Sequence, residues 1–366
     1  MRKLLIIFLI CNTYNSFGND GSFYAKGNTL IPLKETVIRI KKEILNLTYE
    51  GGFMRVNIYF EFFNPENDKD LTVGFVTPPA AGDVFEEESD HPQIKDFFVQ
   101  VNQQLLSYKI ARLEGTGFKL SPKTADGDDF VYYFNVKFKK GITIIRHSYA
   151  YRGGTSVENI YEYGYRLTTG TLWASGAIEN FELNIRMQDD CIFGVPFQFT
   201  KKKADWDIIG IGKTGTIPKY NAYGDSDDQT SKLRIVFIKR GYLQLKVNEF
   251  RPESDLAVVM PQFYNERNWW CDNSDENDFW GISKLYEPDT AVAFIKSLSN
   301  TELRLYKNLD YARNGYDFKD SILRKSYSKY IWYIPDPSFK IENTTERYIS
   351  KEHMDLIIAE EKRRKL

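Results

Sequence analysis

LNLTYEGGFMRVNIYFEFFNP, residues 45–65, decides the fold class. Met54, Val56, Ile58, Phe60 and Phe62 alternate with Arg55, Asn57, Tyr59 and Glu61, the period-two pattern of a strand with one buried face. Leu45, Leu47 and Tyr49 face one way before it, and Gly51-Gly52 supplies a turn. The stretch therefore predicts a β-hairpin ended by Asn64-Pro65. Working outward, Leu71, Val73 and Phe75 open another strand, and residues 97–101 and 103–109 follow in the same style. Phe130, Tyr132, Phe134, Val136 and Phe138 share a face, and Lys139-Lys140-Gly141 predicts a turn into 142–151 and a second hairpin. Phe181, Leu183, Ile185 and Met187 alternate, while Gly210, Gly212 and Gly215 mark loops. A last hairpin is expected from 233–238 and 243–247 around Lys239-Arg240-Gly241. Short strands joined by polar turns predict an α+β chain, mostly β, whose body over 19–250 is an antiparallel β-sandwich.

Composition fits that body. The 366 residues are 42% hydrophobic and 27% charged, as in a globular chain large enough for two cores. The aromatic share is 15%, rich in Phe and Tyr, which favours sheet. A net charge of −1 carries no field for a polyanion, so nucleic acid is not an expected partner. Arg2 and Lys3, the apolar run 4–10 and Ser16-Phe17-Gly18 have the layout of an export signal over 1–18, cleaved after Gly18. That run is too short to span a bilayer, and no later segment is long enough. Cys11 follows Phe8, Leu9 and Ile10, without the small side chain that lipoprotein processing needs. Cys191 and Cys271 then remain. They are candidates to pair in an oxidising compartment, the alternative being two unpaired buried thiols.

After residue 250 the pattern changes. Trp269, Trp270 and Trp280 flank the acidic run 272–278, and 251–288 reads as an aromatic and acidic linker. Helical signals follow over 289–366. Ser299-Asn300-Thr301-Glu302 is a capping box with Leu298 and Leu303 as its staple. Leu305, Leu309 and Ala312 share a face, and Gly315 sits where a left-handed cap ends a helix. Ile322, Leu323 and Tyr327 mark a second helix, and Ser350 caps a third that ends in Lys362 to Lys365.

Tyr311-Ala312-Arg313-Asn314-Gly315, with Tyr316, Phe318 and Trp332-Tyr333-x-Pro335, resembles the YARHG domain of exported bacterial proteins. The motif histidine is Asn314 here, which leaves room for a hydrogen-bonding role but none for an imidazole. The body resembles domain of unknown function 4424, also exported. That resemblance rests on Phe62-Phe63-Asn64-Pro65, Val73-Gly74-Phe75 and the run Tyr165-x-Leu167-x-x-Gly170-x-x-Trp173-x-x-Gly176. Both resemblances imply compartment and fold rather than an activity.

The candidate ligand-binding residues are Tyr311, Arg313, Asn314, Trp332, Tyr333, Trp269, Trp270 and Trp280. Arg313 offers a fork to a carboxylate or phosphate, and the rings offer stacking faces. Against this, Arg313 is open to internal pairing with Asp310 or Asp317, and the aromatics to service as the core of a small domain. The acidic stretches at 86–90, 126–129, 225–228 and 272–278 lack the ordered ligand register of a calcium loop. Gly210-Ile211-Gly212-Lys213-Thr214 is no phosphate loop, because Asp207 stands where glycine is required. His91, His147 and His353 have no serine or paired base that would complete a triad. No metal, cofactor or catalytic residue is expected. The function expected is an exported, non-catalytic envelope protein that binds a surface glycan, peptidoglycan fragment, peptide or protein. The alternative is an envelope-polymer hydrolase at the junction of body and module.

Overall fold

The alternation of residues 45–63 forms the hairpin it predicts: β1 (Arg39–Glu50) and β2 (Phe53–Asn64) pair antiparallel from Glu50↔Phe53 onward. This computed structural model describes residues 22–23, 27–28, 30–33, 36–77, 81–82, 94–118, 129–155, 159–216, 233–261, 285, 290–343 and 347–365. The proposed signal 1–18, Trp269, Trp270, Trp280, Cys271, His91 and the acidic stretches at 86–90, 126–128, 225–228 and 272–278 lie outside the described residues.

The body continues with β3 (Lys69–Thr77), β4 (Ile94–Val101), β5 (Lys109–Arg112), β6 (Phe130–Phe138) and β7 (Gly141–Arg152). It is completed by β8 (Asn159–Arg166), β9 (Ile178–Arg186), β10 (Cys191–Pro196), β11 (Trp206–Thr216), β12 (Leu233–Phe250) and β13 (Leu256–Pro261). A 12-stranded sheet runs β8-β13-β10-β12-β9-β1-β2-β7-β4, with short strands at both ends and β11 paired to β12. A 4-stranded sheet, β5-β6-β3 and Ile31–Pro32, lies against it. Pairing is antiparallel except for β9 on β1 and Gly27–Asn28 on β8. One apolar core joins the layers: Val73, Phe75, Phe134 and Phe138 from the small sheet meet Ile58, Phe60, Phe62 and Leu183 from the large one. Trp173 plugs the end of this core. Its ring lies 4.4 Å from Phe62, and its indole N–H donates to the Leu30 carbonyl at 2.7 Å.

Two of the expected hairpins are not hairpins. β6 and β7 follow each other through Lys139-Lys140, yet β6 pairs with β3 and β5, whereas β7 pairs with β2 and β4. The chain changes sheets there, as it does between β2 and β3. Asn64 ties both crossings together. It is fully buried; its Nδ2 donates to the carbonyls of Asn67 at 2.9 Å and Phe138 at 3.0 Å, and its Oδ1 accepts from the Glu66 N–H at 3.1 Å. The glycines expected to make turns and loops instead sit inside strands. β12 runs for 18 residues through Lys239-Arg240-Gly241 without reversing, and Gly210-Ile211-Gly212 lies within β11. Gly210 and Gly241 face each other with φ of +132° and +119°. A Cβ on either would collide with the carbonyl oxygen of the opposite strand. They permit a sharp local twist of the ribbon, which only glycine can follow.

The sheet extends through β13, past residue 250. The helical module comprises α1 (Ala291–Ser297), α2 (Asn300–Arg313), α3 (Ser321–Tyr327) and α4 (Lys351–Arg364); α1 is absent from the sequence expectations. The capping box forms as read: Ser299 Oγ accepts from the Glu302 N–H at 3.2 Å, and the Glu302 carboxylate accepts from the Ser299 N–H at 2.6 Å. Arg364 locks the far end of α4 onto α1 and α2, donating to the carbonyls of Lys296 and Leu298 and to Asn300 Oδ1. Among the described residues no helix is long and apolar enough to cross a membrane.

Candidate functional site

The motif sits at the C-terminal end of α2, where helix-capping chemistry shapes it. The Asn314 side chain donates to the Asp310 carbonyl at 2.8 Å, and Gly315 follows at φ +88°. The chain then folds back, so that the Asp336 N–H donates to the Gly315 carbonyl at 2.8 Å and the Tyr333 hydroxyl to the Tyr316 carbonyl at 3.0 Å. Asn314 thus supplies a structural hydrogen bond at the place of the motif histidine. The guanidinium of Arg313 is held between two rings, 4.4 Å from Trp332 and 4.6 Å from Tyr348. The two acids offered as its internal partners are engaged elsewhere. Asp317 pairs with Arg324 at 3.0 Å, and Asp310 accepts the N–H groups of Tyr348 and Ile349 at 2.7 and 3.1 Å.

Trp332 and Tyr333 are 4% and 2% exposed and stack within the module core with Tyr327, Tyr330 and Phe318. Neither turns a ring face to solvent. Tyr311 behaves differently. It is half-buried and lines a groove of about 520 Å³ between α2 and α4. Half-buried Met354 and Ile358 give that groove an apolar floor, with Ile341 exposed at its edge; Arg347 and Lys351 stand exposed at its rim, with Glu342 and Asp355 as nearby acids. Lys307, also at the rim, is paired with Glu361 at 2.6 Å. An apolar floor with both signs of charge at its edge suits a peptide or another amphiphile. Asp310 lies at the base of the groove, and burial raises its carboxyl above the usual range against the pull of its two N–H donors and Arg347.

Sequence reasoning found Tyr311 and missed Lys307, Arg347, Lys351, Met354 and Ile358. A signal existed. Lys307 and Tyr311 are four apart on α2, and Lys351, Met354 and Ile358 recur at three and four on α4, so each set shares a helix face. Elsewhere, Cys191 is a free, buried thiol that burial pushes up to about 12. Asp129, read with the acidic stretch 126–129, is fully buried and paired with Arg166 at 2.9 Å, joining the two sheets. Among the described residues no group of three or more His, Cys, Asp or Glu could hold a metal ion.

Fold and site together define a two-layer β body carrying a compact, grooved helical module. Residues 284–359, which take in α1 to α3 and the first part of α4, match the YARHG domain family. Over the whole chain the structure resembles the crystal structure of a candidate nutrient binding protein from Legionella pneumophila subsp. pneumophila str. Philadelphia 1, at 17% identity and a TM-score of 0.51. The likeness covers 94% of this chain and 99% of that one, and at this identity it speaks for the fold. No curated protein matches the chain in sequence.

Proposed function

We propose that this is an exported bacterial envelope protein of non-catalytic type, and that its helical module captures a surface or extracellular ligand in the groove between α2 and α4. The observation that carries this reading is the groove itself, which opens beside Tyr311, a motif tyrosine only partly buried against the module core. The match of 284–359 to a domain of exported proteins, the signal-like residues 1–18 and the resemblance of the body to domain of unknown function 4424 support the compartment. The whole-chain likeness to a candidate nutrient binding protein supports binding. Peptide, peptidoglycan fragment, glycan and protein share the required chemistry, and the mixed charge over an apolar floor favours a peptide-bearing ligand. A glycoside hydrolase of the usual kind would need two acids converging on substrate; Asp310, the buried acid of the groove, is instead committed to backbone N–H groups.

The test is capture of isolated envelope fractions by the chain lacking residues 1–18, compared with Tyr311→Ala and Lys351→Glu variants. Loss of capture in both, with unchanged thermal melts, supports the groove. Equal capture by all three proteins would remove it as the binding site.

A further inference from the structure

The face of the large sheet turned away from the sandwich core carries a cavity of its own. A trough of about 250 Å³ crosses β1, β2, β7 and β4, lined by Asn46, Asn57, Tyr59, Phe98, Arg146 and Ser148 along with Ile58 and His147. Register places the outward side chains in two adjacent rows, Ile58 and His147 turning theirs into the core. Asn57 lies opposite Ser148 and Ser148 opposite Phe98, while Tyr59 lies opposite Arg146. Directly opposed residues stand about 5 Å apart, so one six-membered ring spans a single opposed pair.

The polar groups of the trough divide into those already used and those still available. Asn46 donates to the Asn57 carbonyl at 3.4 Å and accepts from Asn184 at 3.0 Å, and the Tyr59 hydroxyl donates to Glu61 at 2.9 Å. The side-chain amide of Asn57, the hydroxyl of Ser148 and the guanidinium of Arg146 make no hydrogen bond or ion pair to another described residue. The Arg146 guanidinium lies over the Tyr59 ring, 5.3 Å from its centroid. Phe98 is 39% exposed and forms the opposite apolar side. Among the described residues that line the trough Arg146 is the one charged side chain, with Glu61 beside it only through Tyr59, so the lining itself is positive.

We propose that this trough binds a single carboxylate-bearing sugar residue. Arginine is the side chain that grips a carboxylate in a fork. A planar amide and a hydroxyl, each able to donate and accept, match vicinal ring hydroxyls. Exposed aromatic faces take the apolar C–H side of a sugar ring. The volume holds one ring and not an extended drug-sized ligand. This site shares no residue with the helical groove, so it stands or falls separately from the function proposed above.

The experiment is titration of the chain lacking residues 1–18 with trigalacturonate and with its uncharged methyl ester, followed by calorimetry. The trimer should bind, the ester at least about tenfold more weakly, and Arg146→Gln and Phe98→Ala should each lose about tenfold or more for the trimer. Lys351→Gln, in the helical groove, should leave the trimer's affinity unchanged. Both trough residues are exposed enough that thermal melts should not move, and a variant whose melt does move is replaced by Asn57→Ala. Absent binding, equal affinity for acid and ester, full affinity in Arg146→Gln, or full affinity in Phe98→Ala would each overturn the proposal, the last by reducing the trough to a plain anion contact.

Discussion

His147 is buried with its ring among Phe75, Phe97 and Tyr149, at centroid distances of 5.2, 4.9 and 5.0 Å. Burial lowers its pKa from 6.5 to about 3, and the backbone of Phe98 offsets this only in part. The unfolded chain therefore binds this proton near pH 6.5 while the folded chain resists it to about 3. Between those values the unfolded state holds more protons, so stability falls as pH drops through that window and is fully present above it. Replacing His147 with Phe should flatten the acid limb of a plot of urea midpoint against pH. An unchanged slope between pH 6 and 4 would show that other groups set it. Arg313 makes a second case at this scale. Removing a guanidinium from between two rings costs about 0.5–2 kcal/mol, so Arg313→Ala should lower the melting temperature of the module, with Arg313→Lys recovering only part of it. A melt indistinguishable from the parent would deny the stacking any structural role. Sequence could list Arg313, Trp332 and Tyr333 together but could not assign them, because the same aromatic residues make a binding shelf or a small core depending on which face meets solvent.

Elements defined by adjacent residues were legible, and those defined by distant partners were not. The hairpin at Gly51-Gly52 and the capping box at Ser299 need only a few neighbouring side chains, and both stand in the structure as read. Whether β6 and β7 pair with each other is decided elsewhere, by the strands already waiting in each sheet, and a polar turn looks the same either way. Glycine concealed β11 for a different reason: it erases the alternation that reveals a strand. The register Gly210↔Gly241 now gives those residues a purpose that mutation can check. Gly210→Ala or Gly241→Ala must place a methyl against a carbonyl of the partner strand at positive φ, and either should destabilise the chain by about 1–3 kcal/mol. Gly212 has no positive φ, yet a Cβ there would still meet the Phe237 carbonyl oxygen at 2.5 Å. Chemical denaturation of the two variants measures this, and neutral substitutions at both positions would mean that the ribbon relaxes. At the sheet-changing corner, Asn64→Ala would strip the partner from the Phe138 carbonyl and leave buried polar atoms unmet, a loss of about 1–3 kcal/mol.

At the scale of the whole molecule the question is whether body and module act as one. Ile331 and Ile334, from the segment after α3, pack on Ile192, Ile235 and Phe237 of β10 and β12, forming an apolar cluster separate from either main core. Lys213 of β11 reaches across and donates to the carbonyls of Ser328 and Tyr330 at 2.7 and 2.8 Å. The twisted ribbon thus serves as the platform for the module. Ile331 is 3% exposed and belongs to this cluster, not to the module core, so a change there should act on docking before it acts on either unit. Ile331→Asp buries a carboxylate against isoleucine and phenylalanine, a cost of several kcal/mol unless the surfaces part. Parting is the cheaper response, because each unit keeps its own core. Calorimetry should then resolve two transitions where the parent chain shows one, with the upper transition at or near the parent temperature. Hydrogen exchange should quicken in β10 and β12 near residues 192 and 235–237 while the α2–α4 contacts stay protected. A single transition moved bodily downward would mean instead that neither unit holds without the other, and that the helices depend on the sheet for their fold as well as their position.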